Sequence, residues 1–425
     1  MDFLMSFINF LVYEVLNQPA TLVGLMAFLG LALLKKPFSK IMSGTLKSIL
    51  GFVILGAGAN VLIGSLNNLG PMIQQAFNIQ GVIPTNEAIV ALAQQTLGTQ
   101  TALIMAFGFI ANLLFARFTP LKYVFLTGHH IFFMAALLSA VLSTAGLTGV
   151  PLIAVGAVIL GFVMVLFPAL AEPFMKKITG GTDVALGHFG TTGYVAAGLV
   201  GKVVGDPEDS TEDIKVPKYL SFLKESVLAT MLTMIIIFFI VSLIAGRDIY
   251  SQYSGGQSIF MFALMQGITF AAGVHIILTG VRMIIGEIVP AFQGIGEKLV
   301  PDAKPALDCP ITFTYAPNAV IIGFLFSFLG GLVSMFFLGP LGLALIIPGM
   351  VPHFFTGATA GVFGNSTGGK KGAMLGAFVN GVLISFLPAL LLPVLGSLGF
   401  ANTTFGDADF GVVGIIIGYI AKLFA

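Results

Sequence analysis

The chain is poor in charge, in cysteine and in tryptophan, and each shortage excludes something. Only 9% of its 425 residues are charged, where a soluble domain carries roughly a quarter. A water-facing surface cannot be assembled from so few charges, so a cytosolic enzyme is excluded. The 19 basic and 18 acidic residues leave a net charge of +1, which offers no basic footprint and excludes a nucleic-acid binder. The single cysteine, Cys309, rules out a disulfide framework and a cysteine-rich metal site. Tryptophan is wholly absent, so any stacking platform must come from Phe or Tyr. The N-terminus has no basic region ahead of a short apolar run, so no cleaved leader is expected.

What is there is apolar. Hydrophobic residues make up 57% of the chain and the mean hydropathy is +1.03. A helix needs roughly 20 apolar residues to cross the hydrocarbon core. Eleven segments qualify as candidates: 20–34, 46–66, 100–116, 121–141, 151–171, 226–245, 258–280, 319–338, 341–360, 373–396 and 411–423. The expected fold class is therefore all-α and polytopic, in a lipid bilayer. Residues 1–17 are interrupted by Asp2, Asn9 and Glu14 and read as an interfacial helix. Lys and Arg gather in the connections 35–47, 117–122, 172–225, 281–305 and 365–372, while the alternating ones hold only Arg247. By the positive-inside rule the N-terminus lies outside and the C-terminus, with Lys422, in the cytoplasm.

Two segments are neither ordinary spans nor ordinary loops. Residues 180–205 are glycine-rich and mixed in polarity, and residues 300–318 carry four prolines. Irregular backbone at membrane depth is tolerated where it is buried in protein or lines a wet cavity, and broken or re-entrant helices are where transporters hold substrate. The acidic run Asp206–Asp213 reads most simply as a solvated loop. A weak internal echo joins His130-Ile-Phe-Phe to His353-Phe-Phe, as an inverted repeat would.

Ionisable groups inside apolar stretches are costly and are functional candidates by default. They are His129 and His130 at the start of the fourth span, His188 and Asp308 in the two irregular segments, and Glu287. Each also has a structural reading: an imidazole bonded to a carbonyl near the interface, or Glu287 paired with Arg282. His275 and His353 fit that structural reading better. No H-E-x-x-H, G-x-S-x-G or phosphate-binding loop occurs, and no His/Asp/Glu set has ligand spacing on one helix face. Asp308-Cys309-Pro310 resembles the start of a phosphocysteine loop, but the prolines remove the N–H groups such a loop needs. Cys309 reads as a buried thiol. What remains is recognition of a small hydroxyl-rich molecule by two imidazoles and a carboxylate, with Thr127 and Asn318 as further donors.

The strings LTGHHIFF (126–133), DVALGHFGTTGYVAAGLVG (183–201), the 278–324 stretch with GVRM, LDC and APNAV, and IIPGMVPHFF (346–355) carry a resemblance. In this order they resemble the ascorbate-specific IIC permease of the bacterial phosphoenolpyruvate-dependent sugar phosphotransferase system, over essentially the whole chain. The resemblance implies one integral-membrane domain over 1–425 with eleven transmembrane helices and re-entrant segments. It further implies an inner-membrane homodimer whose scaffold part dimerises while a core part carries substrate in an elevator-type step. Substrate would be held by His129, His188 and Asp308. Family members carry glutamines where this chain has Gly56, Phe133 and Phe189, and a Thr-Tyr pair where it has Asn86-Glu87, so Gly56, Glu87, Phe133 and Phe189 join the implied site. The substrate would be L-ascorbate or a related polyol or sugar acid. A cytoplasmic IIB protein, served by IIA, would phosphorylate it, the chain itself being no enzyme and needing no cofactor. An ion-coupled symporter or a passive facilitator are the alternatives.

Overall fold

The computed structural model describes residues 18–77, 81–214, 226–400 and 403–422, with isolated positions before residue 18. The interfacial helix expected over 1–17 lies largely outside the described residues. In chain order the elements are α1 (Pro19–Leu33), α2 (Phe38–Phe77), β1 (Ile83–Pro84), α3 (Asn86–Phe118), β2 (Tyr123–Phe125), α4 (Gly128–Thr144), α5 (Gly149–Thr179), β3 (Ala185–Leu186) and α6 (Thr191–Val204). There follow α7 (Ser226–Ala245), α8 (Arg247–Ser254), α9 (Ile259–Lys298), β4 (Lys304–Leu307), α10 (Pro317–Leu338), α11 (Met350–Leu391), β5 (Thr403–Thr404) and α12 (Ala408–Lys422). The protein is an all-α polytopic membrane protein. Among the described residues six helices are long and apolar enough to cross a membrane, and three shorter apolar ones accompany them.

Helices α2 and α9 run 40 residues each, about 60 Å at the α-helical rise. They lie antiparallel, from Lys47–Glu287 at one end (3.0 Å) to Ser65, which donates to the Gln266 carbonyl, at the other (3.1 Å). Gly51 and Gly58 of α2 meet Gly280 and Gly273 of α9 backbone to backbone. In lipid, where apolar area gives no net drive, such small-residue contacts are what hold helices together. The Lys47 contact also corrects the expected Arg282–Glu287 pair: the partner of Glu287 comes from the neighbouring helix. Helices α1 and α7 complete this group against α9, with the short α8 packed on α7 and α2.

The remaining helices form a second group, in which the chain runs through one order of elements twice. The first pass is a long helix (α3), β2, a helix starting two residues before His130 (α4), a long return (α5), β3 and the short α6. The second is α10, an extended stretch at Ile346 that bridges Val82, α11, β5 and the short α12. Helix α11 is itself two arms, because it breaks at Gly368 (φ −148°, ψ 18°) and Gly369 (φ 55°, ψ −144°). Asn380 donates to the Thr356 hydroxyl at 3.0 Å, whereas a continuous helix over that interval would hold them about 36 Å apart. The arms therefore fold back on each other, with Gly364 packed on Gly372. His130 and His353 begin the equivalent helices of the two passes, which places their sequence echo in a structural repeat.

Helices α6 and α12 leave a common midpoint in opposite directions. Gly205, just past the end of α6, packs on Gly368 at the α11 tip, and Gly418 of α12 packs on Val394 beyond the far end of α11. Gly193 at the start of α6 sits on Asn380, midway along the second arm. Two apolar segments begin later than composition suggests. The segment expected over 121–141 opens as strand β2, with helix only from Gly128, and 341–349 precedes the helix that starts at Met350.

The acidic run 206–213 is exposed for most of its length, as a solvated loop is, and it is also tied down as a strap. Thr211 is buried, and its N–H donates to Asn365 at 2.9 Å. Glu212 accepts from the first N–H groups of α10, at Asn318 (3.0 Å) and Ala319 (3.2 Å). Lys370 pairs with Asp209 at 2.6 Å. Gly369 is required here, since it holds a positive φ and any Cβ would run into the carbonyls of Asp206 and Asp209. The side-chain amide of Asn318 is spent on the Thr211 carbonyl (3.2 Å), so that residue belongs to the strap and not to a pocket.

Candidate functional site

Strands β2, β4 and β3 form a parallel sheet in that order, Tyr123–Phe125 beside Lys304–Leu307 beside Ala185–Leu186. Parallel strands end on the same side, so the residues that follow them arrive together. β2 hands over to α4 at Gly128, β3 to α6 after His188, and β4 to a 3-10 helix at Cys309–Thr314 whose N-cap is Asp308. Asn112 of α3 clamps β2 by accepting from Phe125 N–H (3.1 Å) and donating to the Tyr123 carbonyl (3.2 Å). The Thr127 hydroxyl donates to the Gly187 carbonyl at 2.5 Å, tying two of the three crossings together. Three helical starts thus come together beyond the sheet, the first N–H groups of two of them already held by carboxylates: Cys309 N–H by Asp308, and Thr191 and Thr192 N–H by Asp409.

At that place stand the three residues that both lines of sequence reading reached. Asp308 lies 3.4 Å from His129 Nε2 through one carboxylate oxygen and 3.8 Å from His188 Nε2 through the other. His129 keeps 37% of its side chain exposed, Asp308 12% and His188 4%, so the cluster has one open face and a buried back. His188 Nδ1 meets the Tyr194 hydroxyl at 2.8 Å. With a proton on Nε2 facing Asp308, Nδ1 is the acceptor for Tyr194, and the imidazole is a neutral, oriented donor. The Cys309 N–H donates to Asp308 at 2.7 Å.

The second pass of the chain supplies groups that the sequence reading missed. β1 pairs in parallel with β5, and the starts of α3 and α12 follow. Asn86 donates to Asp407 at 2.8 Å and accepts from Gly406 N–H at 2.8 Å. Asp409 accepts from Thr191 and Thr192 N–H, both at 2.8 Å. Phe410 stacks on His130 with rings 5.8 Å apart, and His130 lies 3.9 Å from His188 ring to ring. Asp407 and Asp409 fell in a stretch assigned to an outside loop. The signal that could have found them is two carboxylates just ahead of an apolar helix, where side-chain caps belong.

The other expected site residues scatter. Phe133, one turn after His129, packs edge-on against its ring at 5.8 Å and walls the cluster. Glu87 follows Asn86 at the start of α3 and is exposed, on the rim beside Asp407. Phe189 is fully buried, stacked on Phe125 at 4.9 Å, edge-on to Phe167 at 5.9 Å and 6.1 Å from the His130 ring. Gly56 sits on α2 with open space where a Cβ would be, in the other helix group. His353 is bonded to Ser327 at 2.9 Å in the core.

The fold also brings together sets that no single helix could, such as His130, His188 and Asp407 or His188, Asp308 and Cys309, with ligand atoms within 4.8 Å. Of these groups, Asp407, His188 and Asp308 each give one atom to Asn86, Tyr194 and Cys309 N–H respectively, while the buried His130 Nδ1 has no hydrogen-bond partner among the described residues. Cys309 itself is buried and touches Asp308 through its backbone. Cys309→Ser is therefore expected to retain substrate binding within about threefold, since the Asp308 contact survives and one thiol–carbonyl contact is exchanged for a hydroxyl; titration calorimetry on the variant checks this.

A polar cluster at the helix starts of a doubled, re-entrant helical core is the arrangement of a solute permease. The family described as "PTS system sugar-specific permease component" matches residues 14–409. The chain belongs to this family. An "Ascorbate-specific PTS system EIIC component" of Mycoplasma pneumoniae is 26% identical over 416 residues, covering 85% of this chain and 63% of that protein. The permease thus spans less than two thirds of that relative's length. It is a multi-pass membrane transport component and not the phosphotransferase catalytic unit.

Proposed function

We propose that the permease takes up L-ascorbate, or a related polyol or sugar acid, and holds it at His129, His188 and Asp308 while a cytoplasmic IIB protein, recharged by IIA, phosphorylates it. The observation that carries this reading is the Asp308 carboxylate lying within 4 Å of both imidazoles, with one open face. A carboxylate accepts from vicinal hydroxyls, while a neutral imidazole donates to an enolate or carbonyl oxygen. His188, fixed by Tyr194, sets the register of the ligand. The half-exposed His129 is free to close over it, with Phe133 behind and Glu87 on the rim. A phosphorylated product carries charge that keeps it from recrossing the bilayer, so the coupling makes uptake directional.

The two helix groups suit an elevator-type step in a homodimer of one-domain, eleven-span protomers: α1, α2, α7 and α9 as scaffold, and the doubled core as the moving part. The N-terminus would lie outside the inner membrane and the C-terminus in the cytoplasm. Uptake of labelled ascorbate is measured in cells with and without the matching IIB protein. Accumulation only with IIB is expected. Strong accumulation without it, collapsed by a protonophore, would establish an ion-coupled symporter instead, and equilibration without accumulation a facilitator.

A further inference from the structure

Helix α6 starts at Thr191 behind an N-cap, Gly190, that has no side chain to satisfy the helix's first N–H groups. Gly190 cannot be exchanged for a capping residue, because a Cβ there would collide with the Tyr194 hydroxyl and crowd His188 Nδ1. The tight Tyr194–His188 contact therefore denies the helix a local cap. The cap comes from 218 residues away: Asp409 receives Thr191 N–H on one oxygen and Thr192 N–H on the other, each at 2.8 Å. In return the Asp409 N–H donates to the Phe189 carbonyl at 2.9 Å. The Thr191 hydroxyl closes the turn on the His188 carbonyl at 2.8 Å. One buried carboxylate thus grips the turn His188–Thr192 at both ends, and it does so at the point where α6 and α12 meet start to start.

We infer that Asp409 is a positioning residue for His188, acting in trans from the second pass of the chain. It touches no part of the polar cluster's open face. It fixes the turn from which His188 projects, and with it the direction of the Nε2–Asp308 axis. Two facing helix starts would otherwise repel through their partial positive ends, and the shared carboxylate between them removes that repulsion. The inference rests on the reading of His188 as a substrate ligand, but its first readout does not need a substrate.

The test uses full-length protein in detergent micelles with 13C-labelled histidine, five residues in all, the His188 signal being assigned through His188→Gln. In Asp409→Ala the His188 signal should move or broaden while those of His275 and His353 stay. Asp409→Asn, which keeps the volume and one acceptor oxygen, should show a smaller change and serves if the alanine variant fails to fold. Ascorbate affinity by calorimetry should fall about tenfold or more in Asp409→Ala, with the asparagine variant between. Lys370→Ala, which breaks a strap contact elsewhere, should lower the melting temperature and leave the His188 signal unmoved. An unmoved His188 signal in both Asp409 variants, with only a lowered melting temperature, would overturn the inference and make Asp409 a structural cap. A moved signal in protein whose parent binds no ascorbate supports the positioning role and refutes the substrate reading instead.

Discussion

Asp308→Ala should lose substrate binding almost completely while the protein stays folded. The carboxylate is the shared partner of His129 and His188. Removing it deletes the acceptor for the ligand's hydroxyls and the carboxylate partner of His129, while His188 keeps its Tyr194 contact. Hydrogen bonds to a charged group contribute about 1.5–3 kcal/mol each, so loss of two corresponds to at least a hundredfold in affinity. The local structural cost is one freed N–H at the buried Cys309. Calorimetry with ascorbate, alongside size-exclusion and a melting curve, separates the two effects. Asp308→Asn keeps one acceptor and should fall between. Normal binding by Asp308→Ala would place the substrate elsewhere in the core.

Phe189→Gln should unfold the protein at a markedly lower temperature rather than improve its affinity for ascorbate. From the family pattern, a glutamine here would face the ligand. In the structure the ring is stacked on Phe125 and meets Phe167 and Phe410 with centroids 4.9–5.9 Å away. Truncating a buried phenylalanine costs about 3–5 kcal/mol, and the amide refills that space while burying donors and an acceptor that these rings cannot satisfy. A net loss of about 3 kcal/mol or more is expected, against about 1–2 kcal/mol for Phe189→Leu. Equal melting temperatures with tighter ascorbate binding in Phe189→Gln would show that the side chain turns into the pocket.

The positions legible in the sequence were those with no inexpensive alternative. An imidazole or carboxylate in an apolar or broken stretch must be satisfied by something, so His129, His130, His188, Asp308 and Glu287 stood out from the residues, and the family resemblance narrowed them to His129, His188 and Asp308. The same reasoning fails for Asp407 and Asp409. A carboxylate between two apolar runs is unremarked in a solvated loop, and nothing local says that the loop is buried against α6. The acidic strap is exposed at Asp209 and Glu212, as its composition suggests; what nothing local showed is that these charges also tie to Lys370 and to the start of α10.

By itself, then, the sequence determined the membrane class, the placing of most apolar helices and the two irregular segments, and it nominated the site candidates. Each of these depends on local free energies of burial that a single stretch of chain expresses. Only the tertiary structure decided which way each side chain of those segments turns. His188 and Phe189 are neighbours, yet one faces Asp308 and the other an aromatic core, because the turn between β3 and α6 sends successive side chains apart. It also decided that α11 folds back at Gly368–Gly369 and that Asp409 caps a helix 218 residues away. Contacts of that range are made by packing and hydrogen-bond satisfaction between distant segments, and they leave no periodicity in the residues on either side.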